Sequence, residues 1–246
     1  MINNTNFNIA SLGNYLNYQQ KSFTTSKNMF DLSKYIREPV TDDALRVGFI
    51  INTDVNKYKI DEKKMRNRIV QAAEYAGVSP VAVACVVKEE SNFKDEIIQS
   101  ENGKGPMGIT QIAVDDLFKR PGRVDKDFGK LVEKYGSINV LFKAKDKDPS
   151  INLGNLGNLL YRYKNPSKLY KSIRENFDLN LKVGAFILRG YINESKGNLR
   201  KAFYNYNGNT KINPETKRQY RQDYADFAMA TYNSAMKCPV KLMKRD

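Results

Sequence analysis

A run of seven apolar residues, 81–87 (VAVACVV), is followed directly by the charged sequence KEE at 88–90. Ser79 is a preferred N-cap residue, and Pro80 suits the first position of a helix, where its missing N–H breaks no hydrogen bond. The pattern predicts a helix that is buried along most of its length and ends at two adjacent carboxylates. Few folds accept such a helix except as their central element.

The two glutamates at the end of this helix are expected to differ in environment. At about 100° per residue, Val83, Val87 and Glu90 share one face of the helix. Glu90 is therefore predicted to point inward, where burial raises a carboxyl pKa, and Glu89 to point outward. The spacing is also compatible with a polar helix end that has both glutamates in solvent, because an all-apolar helix carries little directional signal.

The composition limits the available chemistry. The chain has 246 residues, enough for one large domain or for one domain with an extension, and it contains no histidine. Ser–His and Cys–His pairs and histidine-ligated metal sites are thereby excluded. We expect no metal and no cofactor, so that catalysis would rest on carboxylates, Lys, Tyr or Cys. Two cysteines cannot form a disulfide framework, and Cys85 is expected to be a core residue.

The formal net charge of +14 favours an anionic partner, which is a nucleic acid, a membrane surface or an acidic cell-wall polymer. A lysine-rich coding bias would give the same charge. No stretch of about 18 apolar residues is present, so no transmembrane helix is expected. The first twenty residues lack a basic start and an apolar segment, and we expect no secretory signal.

The chain is expected to be mainly α-helical, because no strand alternation is visible. Residues 1–60 are polar and predict a partly structured N-terminal extension or a disordered arm, with an apolar patch at 47–51 packed on the later domain. Residues 61–236 predict the main domain, followed by a basic tail at 237–246. Residues 119–149 predict loops around one amphipathic segment, 128–135. The other predicted helices span residues 61–76, 79–91, 109–118, 153–163, 166–176, 179–192 and 216–235. Residues 199–203 lead into a predicted turn at 204–208.

Four segments, in this order, resemble the lytic transglycosylase family. Residues 88–93 (KEESNF) are similar to its ESxF signature, and 108–112 (GITQI) to its GLMQI. Residues 177–188 are similar to its DPxxNIxxGAxYL, with Asn180 and Gly184 in place. The sequence YNG at 206–208, followed by YA at 224–225, resembles the C-terminal motif of family members from phages and conjugation systems. Two departures are Thr110, where the family usually has Met, and an insertion at about 113–176.

The resemblance implies a goose-lysozyme-type helical fold and cleavage of the MurNAc–GlcNAc β-1,4 bond of peptidoglycan, with formation of 1,6-anhydro-MurNAc. Glu90 would be the single acid and base. Substrate-binding roles fall on Ser91, Gln111, Tyr206 and Asn207, and Tyr206 would hydrogen-bond the acid. The alternative for Gln111 is a residue that starts a helix, and the alternative for the YNG sequence is an ordinary turn. The aromatic stripe Tyr220–Tyr224–Phe227 of the last helix is expected to be core.

The partner implied is the peptidoglycan glycan strand, with nucleic acid as a secondary candidate. A phage enzyme is expected, either virion-associated or a lysis enzyme, present in the virion or in the host cytoplasm before release. Residues 1–60 would then contact other virion proteins. One alternative is a hydrolytic lysozyme of the same fold that uses Asp95, Glu96, Asp115 or Asp116 as a second carboxylate. Another is a non-catalytic basic structural or DNA-associated virion protein.

Overall fold

The computed structural model describes residues 41–53, 61–94, 103 and 105–240. The described residues confirm the mainly α class, since they form no β-strand; an isolated antiparallel bridge joins Ile212 and Gln219. Its helices are α1 (Asp42–Asn52), α2 (Glu62–Ala76), α3 (Pro80–Ser91), α4 (Gln111–Lys119), α5 (Lys126–Lys134), α6 (Ile138–Lys147), α7 (Gly154–Tyr163), α8 (Pro166–Ile173), α9 (Phe177–Glu194), α10 (Leu199–Asn207) and α11 (Tyr220–Lys237). Across these residues, no helix is both long enough and apolar enough to span a bilayer.

Helix α3 is the central element of the core. Gly77 ends α2 in the left-handed conformation, and the Ser79 side chain accepts a hydrogen bond from the Ala82 N–H at 3.4 Å. Pro80 occupies the first helical position, and residues 80–87 are all buried. Helices α1, α2 and α11 pack around α3. The prediction of a helix buried along most of its length is confirmed, and Cys85 is a core residue.

Helix α1 lies in the same core, because it buries Val47, Ile50 and Ile51 against α2 and α3. Thr41 caps this helix by accepting a hydrogen bond from the Ala44 N–H at 3.2 Å. The described residues between 41 and 240 belong to one compact unit. The rest of the predicted extension, residues 1–40 and 54–60, lies outside the described residues, as do 241–246 of the predicted basic tail.

The segment 113–176 is more helical than its charge predicted. The prediction of loops at 119–149 is wrong for α6, which begins after Ser137, where the serine hydroxyl accepts a hydrogen bond from the Val140 N–H. Helix α6 buries Leu141 and Phe142, while Lys143 and Lys147 stay exposed on its outer side. The lysines obscured the short apolar face in the sequence. Helix α8 of this segment packs on α4.

Helix α10 extends through the sequence that was predicted to be a turn. Tyr204 and Tyr206 belong to its last turns, and Gly208 caps it with φ +65°. Because glycine adopts this left-handed conformation without steric cost, the helix continues up to the residue before it. The prediction of a turn at 204–208 is therefore wrong for residues 204–207, which are helical.

The last helix, α11, buries Tyr224, Ala225, Ala228, Tyr232 and Ala235. Phe227, which was predicted on the buried face, is 60% exposed, and Tyr220 is 39% exposed. The prediction that the whole aromatic stripe is core is wrong for these two residues. The buried face follows the i, i+4 spacing of Tyr224, Ala228 and Tyr232, which leaves Phe227 about 100° away from Ala228.

Candidate active site

Glu90 lies in the last turn of α3, and an unusual backbone follows it. Asn92 and Phe93 both adopt positive φ angles, 51° and 57°. Such angles are uncommon for residues other than glycine and cost free energy. The Phe93 side chain is fully buried, so packing of its ring holds this conformation. The end of α3, and with it Glu90, is thereby fixed relative to the core.

The Glu90 carboxyl is largely removed from water although the residue keeps some accessible surface. Burial raises its pKa from 4.5 to about 7; the nearby Tyr224 hydroxyl lowers it in part, and the Glu89 carboxylate raises it. The Gly108 backbone lies directly against the carboxyl, since a Cβ at Gly108 would come within 2.7 Å of Glu90 Cδ. At neutral pH this carboxyl can both give and take a proton.

The sequence predicts that Glu89 points outward, but the residue is half-buried. Glu90 is half-buried as well, so its contacts and not its exposure identify its environment. Glu90 contacts Gly108 and faces two tyrosines, Tyr206 and Tyr224, whose hydroxyl pKa values its charge raises. The inward carboxylate is therefore Glu90, as predicted.

The loop at 105–108 is held in place through Met107. The Met107 N–H donates to Asn180 Oδ1 at 3.2 Å, and the Met107 carbonyl accepts from the Tyr206 hydroxyl at 2.8 Å. Gly184 lies beneath the same residue, since a Cβ there would come within 2.7 Å of Met107 Cβ. Asn180 is itself buried and donates to the Ile173 carbonyl at 3.4 Å. These contacts from α9 and α10 place Gly108 against Glu90.

Tyr206 therefore has a different partner from the one the family resemblance implied. Its hydroxyl donates to the Met107 carbonyl instead of to Glu90. Burial and the nearby Glu90 charge raise the pKa of Tyr206 well above its usual value, so the hydroxyl stays protonated and remains a donor. Tyr206 positions the loop beside the acid.

Tyr224 of α11 is the tyrosine that acts on the acid directly. Its buried hydroxyl finds no partner with good hydrogen-bond geometry among the described residues, yet it approaches Glu90 closely enough to lower the pKa of that carboxyl. Its own pKa is raised by burial and by Glu90. The sequence predicts Tyr224 on the buried face of the last helix and within the YA pair of the resemblance, but it does not predict a contact with the acid. The YA pair at 224–225 was the signal that could have identified its role.

Three other predicted site residues make local contacts. The buried Ser91 hydroxyl donates to the Val87 carbonyl at 2.9 Å, within α3. Gln111 opens α4, three residues after Gly108, and its amide Nε2 donates to Asp115 Oδ1 at 2.8 Å. Asn207 Oδ1 accepts from the Asn209 N–H at 3.2 Å just after α10. Of the three, Gln111 is connected most directly to the Gly108 loop.

Thr110, which stands where the resembling motif usually has Met, has a structural role. It is the N-cap of α4, and its hydroxyl oxygen accepts from the Ala113 N–H at 3.2 Å. Threonine is a favoured N-cap residue, whereas methionine has no side-chain acceptor of comparable strength. This cap fixes the residue at which α4, the helix that carries Gln111, begins.

The other carboxylates considered for a second catalytic role differ in availability. Asp116 is bound by Arg120 at 2.6 Å and by Arg123 at 2.5 Å. Asp115 accepts from Gln111, and Asp95 and Glu96 lie outside the described residues. Within the described part of the chain, no group of three Cys, Asp or Glu side chains is arranged to hold a metal ion.

Comparison of the chain with protein-family models, with curated proteins and with solved structures gives no match. The geometry around Glu90 is therefore the basis for any functional conclusion.

Proposed function

We propose that the protein is a peptidoglycan lytic transglycosylase with a lysozyme-like helical domain, in which Glu90 is the single acid and base. One observation carries the proposal. Four separate segments, represented by Glu90, Gly108, Asn180 and Tyr206, meet at one buried carboxyl, whose pKa is about 7, and at the loop that lies against it. These are the four segments that resemble the family, and their meeting at one place is independent of that resemblance.

The first step requires an acid that is still protonated near neutral pH, which the burial of Glu90 supplies. In the proposed reaction, the Glu90 carboxylic acid donates its proton to the glycosidic oxygen. The bond between that oxygen and C1 of the MurNAc residue breaks, and the GlcNAc-containing strand leaves as an alcohol.

In the second step, the Glu90 carboxylate removes the proton from the C6 hydroxyl of the same MurNAc residue. The O6 atom attacks C1 and closes the 1,6-anhydro ring, and Glu90 returns to its acid form. No water is consumed, so atoms and protons balance. Because the attacking hydroxyl belongs to the substrate, proximity replaces a second catalytic carboxylate.

The surroundings of Glu90 allow the same carboxyl to act first as the acid and then as the base. A pKa near 7 keeps the energies of the acid and base forms similar, so neither proton transfer is strongly uphill. Tyr224 and Tyr206 stay protonated beside it, because burial and the Glu90 charge raise their pKa values. The Tyr224 hydroxyl lowers the Glu90 pKa and is thus placed to stabilise the carboxylate formed after the first step.

The positive charge of the chain supports a wall polymer as substrate. A formal charge of +14 would attract the protein to anionic cell-wall polymers, as it would to nucleic acid. A phage enzyme, virion-associated or acting in lysis, remains our proposal for its context. A role of residues 1–60 in binding other virion proteins belongs to the same proposal.

The proposal is tested with purified peptidoglycan and three proteins: the wild type, Glu90→Gln and Glu89→Gln. The first variant replaces the acid by an amide of the same shape. The second makes the same change at the adjacent position and serves as the matched control. We expect the wild type and Glu89→Gln to release soluble fragments and Glu90→Gln to release none. Full activity of Glu90→Gln would contradict the proposal. A salt-dependent affinity for DNA with no wall activity would favour the structural alternative.

A further inference from the structure

The segment 113–176 contributes an arginine that is buried against α9. Arg123 is the last residue of a 3₁₀ turn, Pro121–Arg123, and its side chain is only 9% exposed. Its Nη1 donates to Asp116 Oδ2 at 2.5 Å, and its Nε lies 3.5 Å from Glu194 Oε1. Two partly exposed carboxylates, Asp116 and Glu194, thus compensate its charge. Arg123 is not placed to bind an anionic ligand.

Helix α9 is adapted to receive this turn. Asn193 Nδ2 donates to the carbonyls of Arg123 and Val124 at 3.0 and 3.1 Å. A Cβ at Gly190 would come within 2.9 Å of Arg123 Nε and 3.0 Å of Val124 Cγ2. Glycine within a helix costs about 1 kcal/mol relative to alanine. The close approach of the turn accounts for its presence at this position.

A continuous series of contacts connects Arg123 with the candidate active site. The guanidinium lies over the ring of Tyr191, 4.3 Å from its centroid. The Tyr191 ring in turn meets the ring of Tyr206 edge to face, with 6.1 Å between centroids. The Tyr206 hydroxyl holds the Met107 carbonyl, and the next residue, Gly108, lies against Glu90.

We propose that Arg123 is a positioning residue for Glu90, acting through Tyr191, Tyr206 and the loop at 105–108. Only the kinetic consequences of this inference rest on the proposed function. It gives the segment 113–176 a role: the turn within that segment supports the active site from the side of α9. Loss of the guanidinium frees the Tyr191 ring, loosens Tyr206 and lets water reach the Glu90 carboxyl.

Arg68 provides a matched control. It lies over the ring of Phe177, 3.8 Å from the centroid, and its Nε donates to Asp178 Oδ1 at 2.6 Å. Its side chain is 18% exposed. The contacts are of the same kind as those of Arg123 and also involve α9, but they lie at the N-terminal end of that helix. A purely structural role predicts similar effects for both arginines.

The experiment compares Arg123→Met, Arg123→Lys and Arg68→Met by thermal unfolding, by kcat and KM on peptidoglycan, and by NMR titration of the Glu90 carboxyl without substrate. Glu89, Tyr206 and Tyr224 are the titratable groups that act on or are affected by this carboxyl, and they are unchanged in every variant. For Arg123→Met we expect kcat to fall about tenfold with little change in KM. We also expect the pKa of Glu90 to move down towards its usual range, because the carboxyl gains hydration.

Arg123→Lys keeps the charge but loses the planar contact with Tyr191, so an intermediate effect is expected. Arg68→Met should lower stability and leave kcat and the Glu90 pKa unchanged. If Arg123→Met does not fold, Tyr191→Leu tests the same series of contacts with the arginine and its ion pairs intact. A wild-type kcat and Glu90 pKa in the Arg123 or Tyr191 variant, or equal changes in Arg68→Met, would overturn the inference.

The two proposals fail in different ways. If Glu90→Gln retains full activity, the proposed function is wrong, whereas the substrate-free titration of Glu90 still decides whether Arg123 positions it. If Glu90→Gln is inactive and the titration of Arg123→Met matches the wild type, the positioning role of Arg123 is wrong and the proposed function stands.

Discussion

Two adjacent glutamates at the end of α3 have the same chemistry and different neighbours. Glu90 contacts the Gly108 backbone and faces Tyr206 and Tyr224, and burial raises its pKa to about 7. The shift has a thermodynamic consequence, because a pKa that differs between the folded and unfolded states makes stability depend on pH. At the scale of the residue, the pKa of Glu90 is therefore a property that can be measured without knowing the substrate.

Replacing Glu90 by Gln should stabilise the protein in a pH-dependent way. The folded pKa of about 7 lies above the ordinary value of 4.5, so between these values the folded state binds more protons than the unfolded state and its stability falls as pH rises. Glu90→Gln has no carboxyl at this position, so its stability does not fall with pH for this reason. Its advantage in free energy of unfolding over the wild type should grow from pH 4.5 to 7 by about 3 kcal/mol.

Thermal unfolding of both proteins across pH 4 to 8 measures this difference. Glu89→Gln is the control, because it leaves the Glu90 carboxyl in place. Since Glu89 raises the pKa of Glu90, this variant should reduce the pH dependence of stability without removing it. An advantage of Glu90→Gln that does not change with pH would show that Glu90 is not buried in the folded state.

Tyr224→Phe should raise the pKa of Glu90 further, because the Tyr224 hydroxyl lowers it. In a pH–activity profile, the alkaline limb reports loss of the acid form and should therefore move to higher pH. Tyr232→Phe is the matched control, since Tyr232 lies on the same face of α11 and both tyrosines are 8% exposed. An alkaline limb that stays in place, or moves equally in the control, would contradict the role assigned to Tyr224.

Gly108→Ala should remove most of the activity. The new Cβ would meet the Glu90 carboxyl, and the left-handed φ of +58° costs about 1 kcal/mol for any residue with a Cβ. Gly136→Ala is the control. Its φ of +81° gives a similar backbone cost, and no atom lies within 4 Å of the new Cβ. Equal activity of the two variants would show that the contact between Gly108 and Glu90 does not matter for function.

At the scale of the element, α9 connects the parts of the site. Its first half supplies Asn180 and Gly184 to the Met107 loop, and its second half receives the turn that carries Arg123. Helix α3 supplies the acid, and α10 and α11 supply one tyrosine each. No single helix contains the site, which forms where residues of α3, α9, α10 and α11 come together.

Asn180→Ala should destabilise the protein and expose the loop. Asn180 is buried and accepts from the Met107 N–H, which would lose its partner at a cost of about 1–3 kcal/mol. Amide hydrogen exchange at Met107 should become faster by more than the loss of global stability explains. Exchange at Met107 that changes only in proportion to global stability would contradict a local role for Asn180.

The sequence predicts the helices well where strong caps coincide with apolar spacing, as at Ser79–Pro80 before α3 and at Gly77 after α2. It fails at α6, where lysines mask a short apolar face, and at the end of α10, where the tyrosine–asparagine sequence predicts a turn. Glu90 could be predicted because rotation along the helix separates it from Glu89. The partner of Tyr206 could not, because the Met107 carbonyl is brought there by contacts between residues about 100 positions apart.

At the scale of the whole molecule, the net charge of +14 should make activity on cell walls depend on salt. The screening length falls from about 30 Å at 0.01 M to about 8 Å at 0.15 M, which weakens attraction to an anionic polymer. Activity on intact walls should fall steeply over this range, and cleavage of an uncharged amino-sugar oligomer should not. Equal profiles for the two substrates would show that the charge does not guide the protein to the wall.

The nature of the cleaved ends tests the central claim most directly. Purified peptidoglycan is digested with the wild type, and the soluble muropeptides are analysed by mass spectrometry. A single acid and base at Glu90 predicts 1,6-anhydro-MurNAc ends, which are lighter than hydrolytic products by one water, and their absence from the Glu90→Gln digest. Hydrated reducing ends would contradict the single-carboxylate mechanism and require a second carboxylate.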